Sequence, residues 1–511
     1  MTFRKRSAMI IMLLVSIVFA LGVGCQKTNQ GKQTSAQTLT IGLDKNVETL
    51  DILKTPAPLV WYPGHQITEA LVIPDENMKP KPLLAESWER IDDVTWKFKL
   101  RRGVKFHDGT SFNAEAAKFS LERQQEEGPK WTCVPIDSIS IEDDYTIIIK
   151  TDEPFSPLLE WLMNPVAAMV SPVAVEKYQD KFGYNVCGTG PFKIEKFIPE
   201  QESVLVRNNE YWGKKPILQK IVYKVITDPN TRVMALQAGE VDVIRDIHAP
   251  DVASLEGKQG FKVIKTPGVR THYFGFNMKK KHFQDLRVRQ AFNYAIDKEA
   301  IVNNIMHGIG QSAQALVSPT MPEHLDINGY SYDPQKAKEL LQEAKWSEIG
   351  GSIDIIVQPW ANFWKPAAEA LQAQLKEIGV KSNIEVMERG AFLDAVNKGE
   401  FDLRIDCTPA VHGGADYQLM SRFHPSFEEG THASPGYVNN RVIEILTLAR
   451  TEKDDDKRAE MYREVQKIVH EEAALIPFAY DVETVAFNEK VKGFKPHPSV
   501  WAVDLKIVSI E

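Results

Sequence analysis

Three histidines, His412, His424 and His432, fall within 21 positions of a Pro/Gly/His-rich stretch running from Thr408 to Gly436. Imidazoles at loop spacing can ligate nickel, copper or zinc, or a chelate of one of them. Scattered solvated histidines produce the same spacing, and that plainer reading comes first. Elsewhere the residue types of enzyme centres do not occur at enzyme spacings. There is no Gly-x-x-x-x-Gly-Lys-Ser/Thr loop, and Gly188-Thr189-Gly190-Pro191 only looks like a phosphate cradle, because Pro191 removes an amide donor where one is needed. His470-Glu471-Glu472-Ala473-Ala474 lacks the second His of a zinc-protease helix, and no Gly-x-Ser-x-Gly elbow is present. Cys133, Cys187 and Cys407 are far apart, with no Cys-x-x-Cys pair. Cys133 and Cys187 can pair in an oxidising compartment, or all three can be buried free thiols; the residues leave both open. Among 69 acidic residues no carboxylate pair stands out as acid and base. The chemistry points to binding without turnover and calls for no cofactor. A secreted peptidase or esterase is the weaker alternative.

Composition bounds what could position such a site. With 511 residues, 43% hydrophobic and 25% charged, the chain is an ordinary globular one, too long for a single core. The net charge of −8 argues against nucleic acid. That charge is uneven: the first 24 residues hold Arg4, Lys5 and Arg6 and no acid, so the remainder carries 58 basic and 69 acidic residues, net −11. The basic triplet precedes an apolar run from Ala8 to Gly24, the pattern of an export signal over residues 1–24. The run ends Leu21-Gly22-Val23-Gly24-Cys25, which resembles a bacterial lipobox and makes Cys25 the expected lipid-bearing residue. Residues 25–38 are polar and read as a flexible tether, with the folded body starting near Leu39, outside the cytoplasmic membrane.

Along the body, period-two strand patterns appear at Trp96–Leu100, Tyr145–Ile149, Ile221–Val225 and Ile353–Val357. Helical faces are formed by Ala370, Leu371, Gln374, Leu375 and Ile378, by Val442, Ile445, Leu446 and Ala449, and by Tyr462, Val465, Ile468 and Val469. The acidic run Asp454 to Asp456 opens the last of these, as suits a helix N-terminus. Strands and helices alternating without a repeat predict an α/β body. The stretches Pro56 to Pro63 and Thr408 to Gly436 read as long surface connections.

Val94 to Phe119 predicts a strand, a Gly103 turn, a short strand, an Asp108-Gly109 turn and a helix capped near Asn113. Its residue order resembles a segment of the family 5 extracellular solute-binding proteins, which serve peptide and nickel ABC transporters. Gly188-Thr189-Gly190-Pro191-Phe192, Asn208-Asn209-Glu210-Tyr211-Trp212-Gly213, Leu236 to Asp242 (Leu-Gln-Ala-Gly-Glu-Val-Asp) and Asp285 to Asp297 are similar to further family segments, in order and properly spaced. Trp96, Phe98, Phe106, Phe192 and Trp212 read as core aromatics, Arg287, Arg289 and Asp297 as ion pairs and caps, and His107 as a hydrogen-bonded turn residue. These motifs identify a scaffold rather than a ligand.

The resemblance implies an α/β, two-lobed periplasmic-binding-protein-like fold (type II, cluster C-like) with an extra subdomain near 80–190. Lobe I would comprise 39–278 plus 484–511 and lobe II 279–483, with crossings near Asn277–Met278 and Tyr480–Val485. It further implies a monomer, anchored to the membrane by lipid, that hands a solute to an ABC permease and ATPase complex. For a peptide or peptide-like solute, the loop after Phe401-Asp402-Leu403 would carry the amine contact, which falls near Val411 or His412. Thr408 stands where the family has Trp, and Asp416 closes the loop. Lys365 lies where the family has a carboxylate-binding Arg. For a metal chelate, the arginine-bearing stretches correspond to Glu126 to Trp131 and Asn164 to Val170, which hold no Arg; Lys130 is the nearby cation, with Trp131 beside it. His412, His424 and His432 would then face the metal. Trp61, Tyr62 and His65 of the first lobe, and Trp360, Trp364 and Tyr437 of the second, are the remaining candidate contacts, with Arg270 as an anion contact.

Overall fold

Two long antiparallel strands, Phe261–Phe276 and Leu475–Asn488, run side by side from Phe261 opposite Asn488 to Gly275 opposite Leu475. They belong to a computed structural model that describes residues 37–54, 58–128, 133–408, 414–427, 433–499 and 501–511. The expected signal, Cys25, Lys130, Trp131, His412 and His432 lie outside those residues, as do the side chains of 58–61 and so that of Trp61. The short strand Gln311–Ser312 pairs with the returning strand at Tyr480 and Ala479, and the other strands of the main sheet are built outward from the long pair. On one side come Val243–Arg245, Thr38–Leu43, Lys220–Val225, Glu202–Arg207 and Phe192–Ile198; on the other come Leu403–Cys407, Ser352–Val357 and Lys381–Val386.

The long strands pass through two separate cores. Val485 and Phe487 pack with Leu39, Ile41, Phe98, Phe192 and Ile221 in the first core, and Ile264 lies against it. Val269, Tyr273, Phe274, Ile476 and Phe478 pack with Phe292, Ile355, Leu371 and Tyr462 in the second. On the outgoing strand the change of core therefore falls between Ile264 and Val269, ahead of the Asn277–Met278 crossing read from the sequence. On the returning strand it falls between Ala479 and Val485. The first core also takes in a four-stranded antiparallel sheet, Ala85–Arg90, Thr95–Leu100, Thr146–Thr151 and Ile136–Asp143, covered by the helix Ala114–Glu127. Asn113 caps that helix through Ala116 N at 3.1 Å. The short strand expected after Gly103 is reduced to one bridge, Lys105 with Ser111.

Three further differences from the sequence reading have local causes. Gln37 and Thr38 belong to the body: the Gln37 amide pairs both ways with the backbone of Ile510, at 2.8 and 3.0 Å, and Thr38 opens the first strand. Pro58–Ile67 is a helix, not a connection; Pro58 occupies the first turn, where a missing N–H costs nothing, although Pro63 forfeits a bond further in. Within the supposed loop after Thr408 lies the helix Ala415–Phe423, all nine residues of it buried. Cys187 and Cys407 are buried free thiols, and the buried Cys133 donates its thiol to Gln124 O at 3.1 Å.

The motifs turn out to be joints. Glu69 is buried, and its carboxylate accepts from Tyr211 Oη at 2.6 Å, Trp212 Nε1 at 2.8 Å and Thr189 Oγ1 at 2.8 Å, which ties the Gly-Thr-Gly-Pro segment to the Tyr-Trp-Gly segment. A Cβ on Gly188 or Gly190 would collide with the backbone of Ile67 or Gln66. Gly190 N is spent on Ile67 O at 2.9 Å, and His107 Nε2 meets Gly190 O at 2.9 Å, so this segment is a packing seam. The helix Pro229–Ala238 ends at left-handed Gly239, and Asp242 then accepts from Thr40 N at 2.8 Å and pairs with Lys490 at 2.7 Å. Arg289 donates to the carbonyls of Phe283 and Glu472 and makes no ion pair among the described residues, whereas Arg287 pairs with Asp285.

Removing the Glu69 carboxylate strands three donors, two of them, Thr189 and Tyr211, buried. Glu69→Ala should lower the unfolding free energy by about 3–5 kcal/mol in urea titration, and Glu69→Gln by less, because the amide oxygen still accepts.

Candidate functional site

Where the long strands change core, their ladder breaks. Pro267 is opposite Val482 and Thr271 is opposite Tyr480, so Gly268, Val269 and Arg270 together face the single residue Asp481. Pro267 has no N–H to give the ladder, and a bulge at this point bends the strand and re-aims its side chains. Val269 turns into the second core, and Arg270 turns the other way.

Arg270 Nη1 lies 3.5 Å from Asp481 Oδ2, and its guanidinium stands 5.2 Å from the centre of the Trp360 ring. Lys45, between Leu43 and Val47 of the first core, places Nζ 4.9 Å from the same ring, so Trp360 serves cations from both cores. Trp364, the first residue of the helix Trp364–Glu377, is buried and donates from Nε1 to His272 Nδ1 at 3.1 Å. In the neutral ring this puts the His272 proton on Nε2, 3.8 Å from Asp481 Oδ1. Burial would raise the Asp481 carboxyl, but His272 and Arg270 hold it below the usual range. Two residues along the returning strand, Glu483 pairs with Arg245, whose guanidinium lies 3.9 Å from the Tyr62 ring centre. Asp44 and Asp246 complete the group; burial, then Asp44, raises Asp246. The result is a half-buried patch carrying both signs of charge and two aromatic faces, contributed by both cores at the bend.

Of the residues singled out in the sequence, Tyr62, Arg270 and Trp360 meet here, with Trp364 behind them. The others are placed elsewhere. His65 packs edge-on against Trp501 at 5.3 Å, and burial lowers its pKa to about 3. Thr408 is buried and accepts from Thr271 N at 2.8 Å, joining two strands. Lys365 is exposed and pairs with Glu369 along its helix. Tyr437 donates to Glu472 at 2.6 Å. His424 meets Ser426 Oγ at 2.7 Å and Thr447 Oγ1 at 3.2 Å, and no cluster of His, Cys, Asp or Glu able to hold a metal occurs among the described residues. Lys45, Arg245, His272, Asp481 and Glu483 were not anticipated. The legible signal was the pair of acids, Asp481 and Glu483, interrupting the otherwise apolar run from Leu475 to Phe487.

A second zone joins the cores away from the bend. Asp416 is fully buried, and its oxygens take Arg450 Nε and Nη2 at 3.0 and 2.8 Å, Tyr462 Oη at 3.1 Å and, from the first core, Trp161 Nε1 at 3.2 Å. Ser156 N donates to Arg450 O at 2.7 Å, Lys453 pairs with Asp93 at 2.5 Å, and Arg458 with Glu160 at 3.3 Å. Asp416 is thus committed to a contact between the cores. Among the described residues no helix is long and apolar enough to cross a membrane.

Comparison with known proteins places this geometry. The chain is 29% identical over 476 residues to the glutathione-binding protein GsiB of Salmonella choleraesuis (strain SC-B67), covering 90% of this chain and 92% of that one. It is 29% identical over 450 residues to the dipeptide-binding protein of Escherichia coli (strain K12), covering 82% and 84%. The solved structure of the ABC transporter-associated periplasmic binding protein DppA from Helicobacter pylori, in complex with the peptide STSA, superposes with a TM-score of 0.81 at 27% identity, covering 93% of this chain and 98% of that one. Its mixed α/β, two-lobed fold is the fold found here. Residues 79–429 match the bacterial extracellular solute-binding proteins, family 5. The chain belongs to that family and is a solute-binding protein of transport, not an enzyme.

Proposed function

We propose that this protein is the capturing component of an ABC importer: it closes two lobes over a peptide or peptide-like solute and delivers it to a membrane permease with its ATPase. One lobe comprises the chain from residue 37 to the Pro267 bulge together with 484–511, and the other the intervening residues, so the two long strands are the hinge. The observation that carries the solute class is the mixed patch at the bend. Arg270, Arg245 and Lys45 offer cations for a carboxylate, Asp481, Asp44 and Asp246 offer anions for an ammonium, and Tyr62 and Trp360 offer faces for the chain between. A zwitterion of peptide length needs both signs a few ångströms apart. The relatives that bind glutathione, dipeptides and the peptide STSA support the same reading. The competing solute class, a nickel or other metal chelate, draws on the three histidines, of which only His424 is described, and its ring is engaged by Ser426 and Thr447. The protein works as an exported monomer, held by lipid at Cys25 in the periplasm or on the outer side of the cytoplasmic membrane.

Titration with reduced glutathione and a set of dipeptides should change tryptophan emission stoichiometrically without product, and native mass spectrometry of the purified protein should show a peptide-mass adduct. Arg270→Ala should weaken the best of these probes tenfold or more, since a buried charged partner is worth about 2–4 kcal/mol; unchanged affinity would remove Arg270 from the site, and bound nickel or zinc would favour the chelate. Separately, Cys25→Ala should release the protein from membranes on fractionation, and continued retention would refute the lipid anchor.

A further inference from the structure

We propose that Glu160 and Glu323 form a proton-binding pair split between the two lobes, so that closing the cleft takes up a proton and opening it releases one. This rests on the hinge closure proposed above. Glu160 lies on the helix Leu158–Leu162 of the first core and Glu323 two residues past Met321 of the second, and the start of the helix Ala415–Phe423 stands against both: a Cβ on Gly414 would overlap the Glu160 carboxyl, and the Ala415 backbone N–H donates to Glu323. Both are more than nine-tenths buried, and each has one carboxyl oxygen, Oε2, without a hydrogen-bond partner. The groups around Glu160 are few. From the helix Asp455–Glu471 come Arg458, Asp455 and Tyr462; from the start of the helix Ala415–Phe423 comes Asp416; from the turn after Asn440–Ala449 come Arg450 and Lys453; from its own lobe come Arg90 and Asp92.

Their charges do not balance. Arg450 is held by both oxygens of Asp416, and Lys453 by Asp93. Arg90 spends its guanidinium on Ser156 Oγ and the carbonyls of Asp92 and Asp93. Arg458 alone reaches Glu160, at 3.3 Å, and it is shared with Asp455 at 2.7 Å. Around Glu323 stand Arg458 and Arg463, but Arg463 is taken by Glu460 at 2.6 Å and by the carbonyls of Pro322 and His324, and among the described residues no cation forms a direct ion pair with Glu323. Two buried carboxyls with one shared arginine leave a surplus negative charge, and the inexpensive way to bury it is to protonate one of the two. Burial, then Glu323, lifts Glu160 from its ordinary 4.5 to about 8, and burial raises Glu323 as well, so the proton belongs to the pair. A crevice of about 440 Å³, lined by Glu160, Trp88, Arg90, Trp96, Lys453 and Arg458, gives water access to the site. When the lobes part, Glu160 leaves Glu323 and Asp416 for water and its pKa falls back. Closure is therefore independent of pH below the open-state value, weakens as pH rises through the window up to about 8, and levels off above it.

Small-angle scattering of the ligand-free mature protein reads the closed fraction directly. Between about pH 6 and about pH 8.5 the closing constant of the wild type should fall about tenfold or more. Glu160→Gln and Glu323→Gln, which supply a neutral isostere, should remove that dependence. Gly414→Ala should open the protein at both pH values, because a Cβ there would overlap the Glu160 carboxyl. Identical pH profiles for wild type and both Gln variants would overturn the proposal. Compaction on adding reduced glutathione or a dipeptide, with no pH response, would overturn the proton pair alone; no compaction under any condition would overturn the two-lobe closure with it.

Discussion

One pair of strands carries the whole mechanical problem of this protein. Phe261–Phe276 and Leu475–Asn488 hold a part in each of two cores, and between those cores they are bound to each other. A continuous ladder would resist bending. The gap from Pro267 to Thr271 removes hydrogen bonds where the core changes, so rotation there costs little packing on either side. The same break turns Arg270 out of the sheet opposite Asp481, on the segment where the strands change core. The proposed hinge and the candidate binding patch are thus one local feature, created by a proline followed by a glycine.

The family motifs do different work. Glu69 collects donors from Thr189, Tyr211 and Trp212, and Asp242 ties the first strand to Lys490 near the chain's end. These are joints in the first lobe, where segments distant in sequence must meet. Each needs residues of one shape and polarity, because a buried carboxylate tolerates no missing donor. Such constraints leave a strong imprint on residue order, which explains why the scaffold was legible while the solute was not.

What the sequence disclosed follows from the range of the forces involved. Strand and helix periodicities are local, so Trp96–Leu100, Ile353–Val357 and the helix headed by Asp454 lay where the pattern put them. Pro58–Ile67 and Ala415–Phe423 were read as connections because prolines, glycines and histidines mask a helix that is held by burial on nearly every side. Arg270, Tyr62 and Trp360 were found as residue types able to bind a solute. Their partners Lys45, Arg245, Asp481 and Glu483 were not, because a charge becomes a site only when distant strands bring its neighbours. Asp416 shows the converse: it ends a loop where a ligand contact was expected, yet Arg450, Tyr462 and Trp161 claim both its oxygens.

The two contact zones between the cores have opposite electrostatic logic. At the hinge, cations and anions are matched, Arg270 with Asp481 and Arg245 with Glu483, so a zwitterionic solute can exchange with protein charges at little net cost. Away from it Asp416 is matched by Arg450, but Glu160 and Glu323 share Arg458, and each keeps one carboxyl oxygen without a hydrogen bond. A fully matched set there would hold the lobes shut with or without solute. A binding protein that must also release its cargo is better served by an interface that closes only when a ligand at the hinge, or a proton at the far side, supplies the missing free energy.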